Sequence, residues 1–251
     1  MNRRTEGQHG RSPSRGRGRD ALRTARLLLG LSLRADRSAS EQPSVSVRAV
    51  RALERVSPGG AYFICGPSGS GKTTHLRRLV RALRVRGETV IGMTSTPPAA
   101  ACSKRLIDLG RGLSMQRWLT ILAHAGLAEA GLFATRLRDL STGQQRRAAA
   151  ACTLARAERS RPRTRLSTTS RKVWIVADEL TSGLDRSTAL SLAAGLARFI
   201  AGTRLGTCPL RLLVTTHDGS FAEAIRPEVE VVCRLNAPAA VFTRSQRRRA
   251  S

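Results

Sequence analysis

The sequence is poor in aromatic side chains and in lysine. Aromatic residues make up 3% of the 251 positions while 41% of the residues are hydrophobic, so a folded core has to be built from Leu, Val, Ile and Ala. Lysine occurs only at positions 72, 104 and 172, and arginine therefore supplies nearly all the positive charge behind the formal net charge of +27. The length and the apolar content suit one α/β domain with a tail.

Long apolar runs and paired cysteines are missing as well. No stretch approaches the length of a membrane-spanning helix, and the short apolar run 27–33 lies between arginines without a signal-peptide cleavage region. An arginine- and serine-rich transit peptide is the alternative interpretation of this region. The five cysteines are odd in number and contain no C-x-x-C pair, which argues against a disulfide framework and against a zinc site. We therefore expect a cytoplasmic protein without a membrane span.

The positive charge has two interpretations that the sequence leaves open. It can be the electrostatic footprint of a protein that binds nucleic acid or an anionic membrane surface. It can equally reflect a coding bias towards Arg, Ala and Gly, which leaves a solvated surface with no dedicated partner. The excess lies partly in the termini and partly along the helices.

The pattern along the chain predicts a basic, disordered tail over residues 1–42, an α/β domain over 43–243 and a second basic tail over 244–251. Strands are predicted at 45–50, 61–65, 88–94, 173–177, 210–216 and, as the last one, 229–235. Helices are predicted at 75–86, over much of 104–140, from 141 to 157, at 186–201 and near 220–225. This alternation indicates a mostly parallel sheet flanked by helices.

One stretch of the chain carries most of the chemical information. The apolar segment 61–65 runs into Gly66-Pro-Ser-Gly-Ser-Gly-Lys72-Thr73, which fits the P-loop pattern G-x-x-x-x-G-K-[ST] of the P-loop NTPases. Glycines let main-chain N–H groups approach a phosphate chain, and the following helix directs its positive end at the anion. Lys72 is expected to reach the β- and γ-phosphates, and the Thr73 hydroxyl to ligate Mg²⁺. The residues assigned to nucleotide binding here are Gly66, Pro67, Ser68, Gly69, Ser70, Gly71, Lys72, Thr73 and Thr74.

Two adjacent acids end a second apolar segment, 173–177. In P-loop enzymes an Asp at this place holds Mg²⁺ from the strand beside the P-loop, and Asp178 fits that role. Glu179 is then placed to orient or deprotonate the attacking water. The alternative is that both acids cap the next element.

Four motifs together resemble those of the ATP-binding cassette (ABC) ATPases. They are the P-loop, Leu140-Ser-Thr-Gly-Gln144 in the place of the signature L-S-G-G-Q, the Asp178-Glu179 pair followed by Ser182-Gly-Leu-Asp185, and the lone histidine of Thr215-Thr-His217-Asp218. Their order and separations match the family over about residues 45–235. The local sequences of these motifs are similar to those of a soluble branch of ABC-type ATPases, which are found fused to a predicted acetyltransferase domain.

The resemblance implies a composite site formed by two subunits that pair head to tail on ATP. Ser141 and Gly143 would then touch the γ-phosphate bound by the partner's P-loop, with Gln144 in the same signature. Asp185 would link the two sites, and His217 would contact the γ-phosphate and the water near Glu179. It also implies a short helical subdomain, about 103–158, that carries the signature.

Several positions depart from the family pattern. Thr142 replaces the first glycine of the signature, and no aromatic residue precedes Tyr62 to stack on adenine, a task that an arginine such as Arg48 could take. No glutamine follows the strand near Thr94, and Gln116 and Asp108 are weak candidates for its role.

Three functions follow in order of preference. The first is a soluble ATPase that dimerises on ATP and hydrolyses it with Mg²⁺. The second is the ATP-binding subunit of a membrane transporter whose permease is a separate chain. The third is an ATP-dependent clamp on nucleic acid, bound without sequence specificity through the arginine-rich tails and the basic segment 159–171.

Overall fold

A six-stranded sheet forms the centre of the fold. In the computed structural model, the residues described are 45–161, 172–205 and 208–243, with side chains from 48 onward. The strands are β1 (Ala61–Cys65), β2 (Thr89–Gly92), β3 (Val173–Ala177), β4 (Leu210–Thr216), β5 (Val229–Arg234) and β6 (Ala237–Thr243). Their order in the sheet is β2-β3-β4-β1-β5-β6, and every neighbouring pair is parallel except β5 and β6. The predicted fold class, a mostly parallel sheet flanked by helices, is confirmed.

Seven α-helices lie in the described ranges, joined by short 3₁₀ turns. They are α1 (Val45–Ala52), α2 (Lys72–Val85), α3 (Met115–His124), α4 (Ala130–Phe133), α5 (Thr142–Arg159), α6 (Arg186–Gly202) and α7 (Phe221–Ile225). The predicted tails and most of the basic segment 159–171 lie outside the described residues. Among the described residues, no helix is both long and apolar enough to cross a membrane.

β1, β3 and β4 are buried on both faces, which explains the continuous apolar runs of β1 and β3. Along β1, Phe63 points into a core shared with α3, α5, α6 and α7, whereas Tyr62 and Ile64 point into a second core shared with α1 and α2. Alternate residues of a strand face opposite sides of the sheet, so this five-residue strand contributes side chains to both cores. As expected from the composition, most of the buried hydrophobic residues are Leu, Val, Ile and Ala, and few are aromatic.

The prediction of a strand at 45–50 is wrong, since these residues belong to α1. Alternation over six residues is too short to separate the strand period from the helix period. The buried positions Ala49, Ala52, Leu53 and Val56 are spaced three, one and three residues apart, as one face of a helical segment requires. They pack beside α2 in the second core.

The C-terminal end of the domain contains a strand that the sequence pattern did not indicate. β5 was predicted to be the last strand, but β6 follows it after the turn at Leu235 and Asn236, in which Asn236 has a φ of 55°. β6 contains Pro238, which a strand tolerates at the edge of a sheet, and β6 is such an edge.

The stretch 104–140 is less helical than predicted, since α3 and α4 are separated by irregular segments and 3₁₀ turns. The apolar stripe predicted there is buried at Trp118, Ile121, Leu122 and Leu127, and Leu119 is half-buried. β1, β3 and β4 have the predicted bounds, and the other predicted helices and strands are found with ends shifted by a few residues.

The strand order corrects one further expectation. The strand that carries Asp178 was expected beside the P-loop strand, but β4 lies between β3 and β1. The chain reaches β3 from β1 only after α5, and β4 enters the gap later. Contacts between the P-loop and Asp178 must therefore pass across the end of β4.

Candidate functional site

The carboxyl ends of three parallel strands place most of the predicted site residues at one edge of the sheet. The P-loop follows β1, Asp178 and Glu179 follow β3, and His217 follows β4. The register pairs Cys65 with Thr216, so the first P-loop glycine and His217 leave the sheet at the same level. Ligands in open α/β sheets bind outside this edge.

The P-loop has a backbone that requires glycine. Gly66 has a φ of 148°, and a Cβ at this position would overlap the main-chain oxygen of Cys233 at the end of β5. Gly69 and Gly71 have φ values of 77° and 87°, in the left-handed region that favours glycine. Gly71 is the N-cap of α2, so the loop leads directly into the positive end of that helix.

The Lys72 side chain lies back along the loop. Its Nζ donates a hydrogen bond to the Pro67 carbonyl oxygen at 2.8 Å, and the Ser70 hydroxyl donates to the same oxygen, also at 2.8 Å. Although lysine is rarely buried, Lys72 is 6% exposed. An ammonium held this way is placed over the loop and can exchange the carbonyl for a phosphate oxygen.

One threonine joins the two acids after β3. The Thr215 hydroxyl donates to Asp178 Oδ1 at 2.6 Å and accepts the Glu179 backbone N–H at 2.8 Å. Thr215 is fully buried in β4, so the strand that separates β3 from β1 supplies the group that positions both acids. The sequence predictions gave Thr215 no role, although it stands in the quoted run before His217.

The two acids remain open to solvent. Asp178 and Glu179 are exposed, and Thr73 is half-buried in the first turn of α2. A threonine hydroxyl and a carboxylate oxygen are ligands that Mg²⁺ takes together with phosphate and water, so these residues fit that metal. Glu179 has a φ of 49°, a left-handed conformation that costs a non-glycine residue about 1–3 kcal/mol and is typical of functional sites.

The signature segment is an N-terminal helix cap. Ser141 is the N-cap of α5: its hydroxyl accepts the Gln144 N–H at 3.3 Å, and its own N–H donates to Gln144 Oε1 at 2.9 Å. This capping box gives the S-x-x-Q spacing a local structural reason besides the predicted contact with ATP. Gly143 is half-buried, and Thr142 is exposed beside it.

The loop that follows Glu179 packs against the signature helix of the same chain. A Cβ at Gly183, which has a φ of 67°, would overlap the Arg146 guanidinium of α5. A Cβ at Gly143 would stand 3.8 Å from the Leu184 side chain. The signature and the loop 182–185 are thus in contact through Arg146 and Leu184, to which the sequence predictions assigned no role.

Asp185 closes that loop as the N-cap of α6. Its Oδ1 accepts hydrogen bonds from the Ser187 hydroxyl at 2.6 Å and from the Thr188 N–H at 2.9 Å. These bonds hold the pKa of the Asp185 carboxyl well below its usual range, so it is ionised at neutral pH. In the single chain its role is therefore to cap a helix with a fixed negative charge.

His217 is exposed at the end of β4. The next residue, Asp218, accepts a hydrogen bond from the Ser220 N–H at 2.8 Å and pairs with Arg186 at 2.9 Å. These contacts, with the backbone bond from Ser220 as the largest cause, lower the pKa of Asp218. They fix the turn that presents the histidine.

A cleft of about 280 Å³ adjoins the two acids. It lies between the ends of β2 and β3, helix α5 and helix α6, and the polar groups on its wall include Thr94, Ser95 and Arg146 as well as Asp178 and Glu179. Neither Gln116 nor Asp108 lines it, and both are exposed elsewhere. Arg48 is exposed on α1.

The fold is that of the ABC-type P-loop ATPases. Among solved structures, CbiO1 from Clostridium perfringens, part of the ABC transporter complex cbiONQ, matches with a TM-score of 0.51 over 78% of this chain and 81% of that chain, at 16% identity. At this identity the match concerns the fold alone. No protein-family model matches the chain.

Two curated relatives are similar in sequence. The zinc import ATP-binding protein ZnuC of Ruegeria pomeroyi is 33% identical over 168 residues, which cover 62% of this chain and 57% of that protein. ZnuC 2 of Hahella chejuensis is 32% identical over 142 residues, which cover 52% of each. The chain therefore spans little more than half the length of the curated relatives it matches. Fold and sequence together relate it to the ABC ATPases.

Proposed function

We propose that the protein binds ATP with Mg²⁺ and hydrolyses it as a head-to-tail dimer of a cytoplasmic, soluble ABC-type ATPase. The observation that carries the proposal is the bridge made by Thr215, which joins Asp178 and the Glu179 backbone at the sheet edge where the P-loop also emerges. The similarity to ATP-binding proteins supports the choice of nucleotide. The local sequence of the motifs resembles that of the branch found fused to an acetyltransferase domain, and this resemblance favours a role outside transport.

The P-loop residues would bind the triphosphate. The main-chain N–H groups of Gly66 and of residues 68–74, together with the positive end of α2, bind the phosphate oxygens. Lys72 exchanges the Pro67 carbonyl for the β- and γ-phosphates. Thr73 and Asp178 would hold Mg²⁺, which neutralises charge on the phosphates when bound.

Glu179 would accept the proton of the attacking water. Its backbone N–H is fixed by Thr215 and its side chain is exposed towards the cleft, so the carboxylate can reach a water outside the sheet edge. His217 would hold that water and the γ-phosphate from the end of β4. Ser141, Gly143 and Gln144 of the partner would cover the nucleotide, and Asp185 would link the two sites.

The first experiment compares purified wild-type protein with Glu179→Gln and with Glu223→Gln, which changes an exposed glutamate on α7. We expect Glu179→Gln to lower phosphate release by about 100-fold or more, the usual contribution of a general base, and to retain ATP. Glu223→Gln should hydrolyse ATP like the wild type. If wild-type turnover does not exceed that of Glu179→Gln, the chain is not an ATPase.

Sedimentation tests the dimer with the same proteins. Glu179→Gln should sediment as a dimer with ATP and as a monomer without it, because the nucleotide is trapped between two subunits. A monomer under both conditions would contradict the head-to-tail arrangement.

A transporter subunit is the second candidate, and the observation that favours it is the similarity to two zinc import ATP-binding proteins. Transport predicts that the tagged protein co-purifies with an integral membrane protein from detergent-solubilised membranes. A fully soluble pool without such a partner favours the first candidate.

The third candidate, an ATP-dependent clamp on nucleic acid, is supported by the formal net charge of +27. We infer that the arginine-rich tails and the segment 159–171 would contact phosphates without reading bases. Truncation of both tails should then reduce the salt dependence of binding.

A further inference from the structure

One face of α2 is rich in exposed arginine, and neither the ATP site nor the tails account for it. The helix contains four arginines and no acidic residue after Lys72. Its apolar side, with Leu76, Leu79 and Leu83, is buried against the sheet, while Arg77, Arg78, Arg81 and Arg84 are exposed. Four of the six exposed residues of this helix are therefore arginines.

Three of these arginines form a line, here called the arginine stripe: Arg77, Arg81 and Arg84. Residues at i, i+4 and i+7 lie on one side of a helix, so the three side chains leave α2 in the same direction. At 1.5 Å per residue the stripe extends about 10 Å along the axis. None of the three pairs with an acidic group of the described residues; at the end of the helix, Arg86 pairs with Glu54 at 3.0 Å.

The stripe borders a groove with an aliphatic floor. The groove has a volume of about 680 Å³ and is lined by Leu76, Val80 and Val85 together with the three arginines. Val85 is 81% exposed, and Val80 is half-buried. A ligand in this groove would contact the three guanidinium groups and the narrow apolar strip beside them.

We propose that the arginine stripe binds the sugar–phosphate backbone of a nucleic acid, without base specificity. Successive phosphates of one duplex strand rise about 3.4 Å along the axis, so the 10 Å of the stripe spans about three of them. Guanidinium groups bind phosphate in a bidentate way, and the aliphatic strip suits the sugar faces between the phosphates.

An anionic membrane fits this surface less well. Helices that lie on membranes bury a broad apolar face in the lipid, but the broad apolar face of α2 is directed into the protein core. Apart from Val85, no large hydrophobic side chain of α2 is exposed. The stripe is thus built for a polyanion rather than for a lipid surface.

The test measures binding of the full chain to a fluorescent duplex DNA of about 30 base pairs by anisotropy, between about 50 and 200 mM salt. The variant Arg77→Gln/Arg81→Gln/Arg84→Gln is compared with Arg105→Gln/Arg111→Gln/Arg156→Gln, which removes three exposed arginines elsewhere. Both variants keep the tails and lose the same charge. A Lys triple at 77, 81 and 84 keeps the charge of the stripe.

We expect the stripe variant to bind at least about tenfold more weakly and to lose about 3 from the slope of log K against log salt, roughly 1 for each phosphate contact. The Lys triple should keep the slope, and the control triple should lose less than about 1. Equal losses in the two Gln triples, or no DNA binding by the wild type, would overturn the proposal. So would stripe-dependent binding to phosphatidylserine vesicles without binding to DNA.

ATP binding by the stripe variant shows whether this variant is still folded. The stripe lies on the outer side of α2, while Lys72 and the P-loop stand at its N-terminal end, so the stripe variant should bind ATP as the wild type does. A stripe variant that loses both ATP and DNA binding has lost its fold, and the single variants Arg77→Gln, Arg81→Gln and Arg84→Gln then decide. Each should bind ATP as the wild type does and lose about 1 from the slope, and an unchanged slope in all three refutes the phosphate contacts. The outcome is independent of whether ATP is hydrolysed.

Discussion

The buried side chain of Thr215 makes hydrogen bonds to two site residues. Its single hydroxyl donates to Asp178 and accepts from the Glu179 backbone, so one side chain fixes the metal-binding acid and the proposed base relative to each other. Because it belongs to β4, it also ties both acids to the strand that pairs with the P-loop strand. Thr215 acts through the acids and is a positioning residue.

Replacing Thr215 with Val should therefore reduce turnover more than nucleotide binding. Valine keeps the buried volume and removes both hydrogen bonds, so we expect kcat to fall at least about tenfold, or ~1.4 kcal/mol, with little change in KM. Steady-state phosphate release measures both constants. Thr215→Ser restores the hydroxyl and should restore kcat.

The matched control is Thr153→Val on α5. Thr153 is also buried, at 2% exposure, and its hydroxyl donates to the Ala149 oxygen within the helix. Its loss should change stability without changing kcat. An equal effect of both valines on kcat would mean that Thr215 only stabilises the fold.

Single residues show where sequence reasoning reached its limit in the site. The P-loop, Asp178 and Glu179 are recognisable because each motif is a local run with its own spacing. The contact between Arg146 and Gly183 is not, because it joins segments that are 37 residues apart in the sequence. Sequence patterns report local periodicity and motif spacing, and tertiary contacts of this kind enter only with the fold.

Among the secondary-structure elements, α6 and α3 make the closest contact of the helical layer. A Cβ at Gly195, which is buried in the middle of α6, would overlap the carbonyl oxygen of His124 at the end of α3. Arg117 of α3 also lies over the Phe199 ring of α6, with 4.8 Å between the guanidinium carbon and the ring centroid. Glycine at 195 thus sets how near α3 can lie to α6.

Gly195→Ala should lower the melting temperature. The added methyl group must push the helices apart, at a cost of about 1–3 kcal/mol that outweighs the better helix propensity of alanine. Gly202→Ala is the control on the same helix, because a Cβ there meets no atom within 4 Å. Thermal denaturation followed by circular dichroism should show a lower transition for Gly195→Ala and an unchanged or higher one for Gly202→Ala. Equal transitions would contradict the tight crossing.

The elements also show which parts of the fold a sequence can predict. β1, β3 and β4 were found because long apolar runs buried on both faces have few other interpretations. α1 and β6 were misjudged because they are short and half-exposed, and β6 contains Pro238 among alanines. The position of β4 between β1 and β3 could not be predicted, since strand order depends on how the chain returns to the sheet.

In the proposed dimer, each chain contributes to two nucleotide sites: its own P-loop site and the P-loop site of its partner. The P-loop and the acids after β3 form one half of a site, while Ser141 at the start of α5 would complete the partner's site. Within one chain, Arg146 and Leu184 join the signature helix to the loop after Glu179. A signature engaged on the partner's nucleotide is thus in contact with the loop that follows the acids of its own chain, which allows the two sites to influence each other.

Mixing two inactive variants tests this division. Lys72→Ala should lose the P-loop function, and Ser141→Asp should lose the contact in trans, because its carboxylate repels the γ-phosphate while aspartate still caps α5. Each variant alone should be inactive. Mixed in equal amounts, about half of the dimers are heterodimers with one intact site out of two, so the activity should rise to ~a quarter of the wild-type value. Ser114→Asp, at the N-cap of α3, changes a comparable cap and should hydrolyse ATP alone. Absence of any recovery, with both variants folded and the mixed dimer formed on ATP, would show that each chain builds its site by itself.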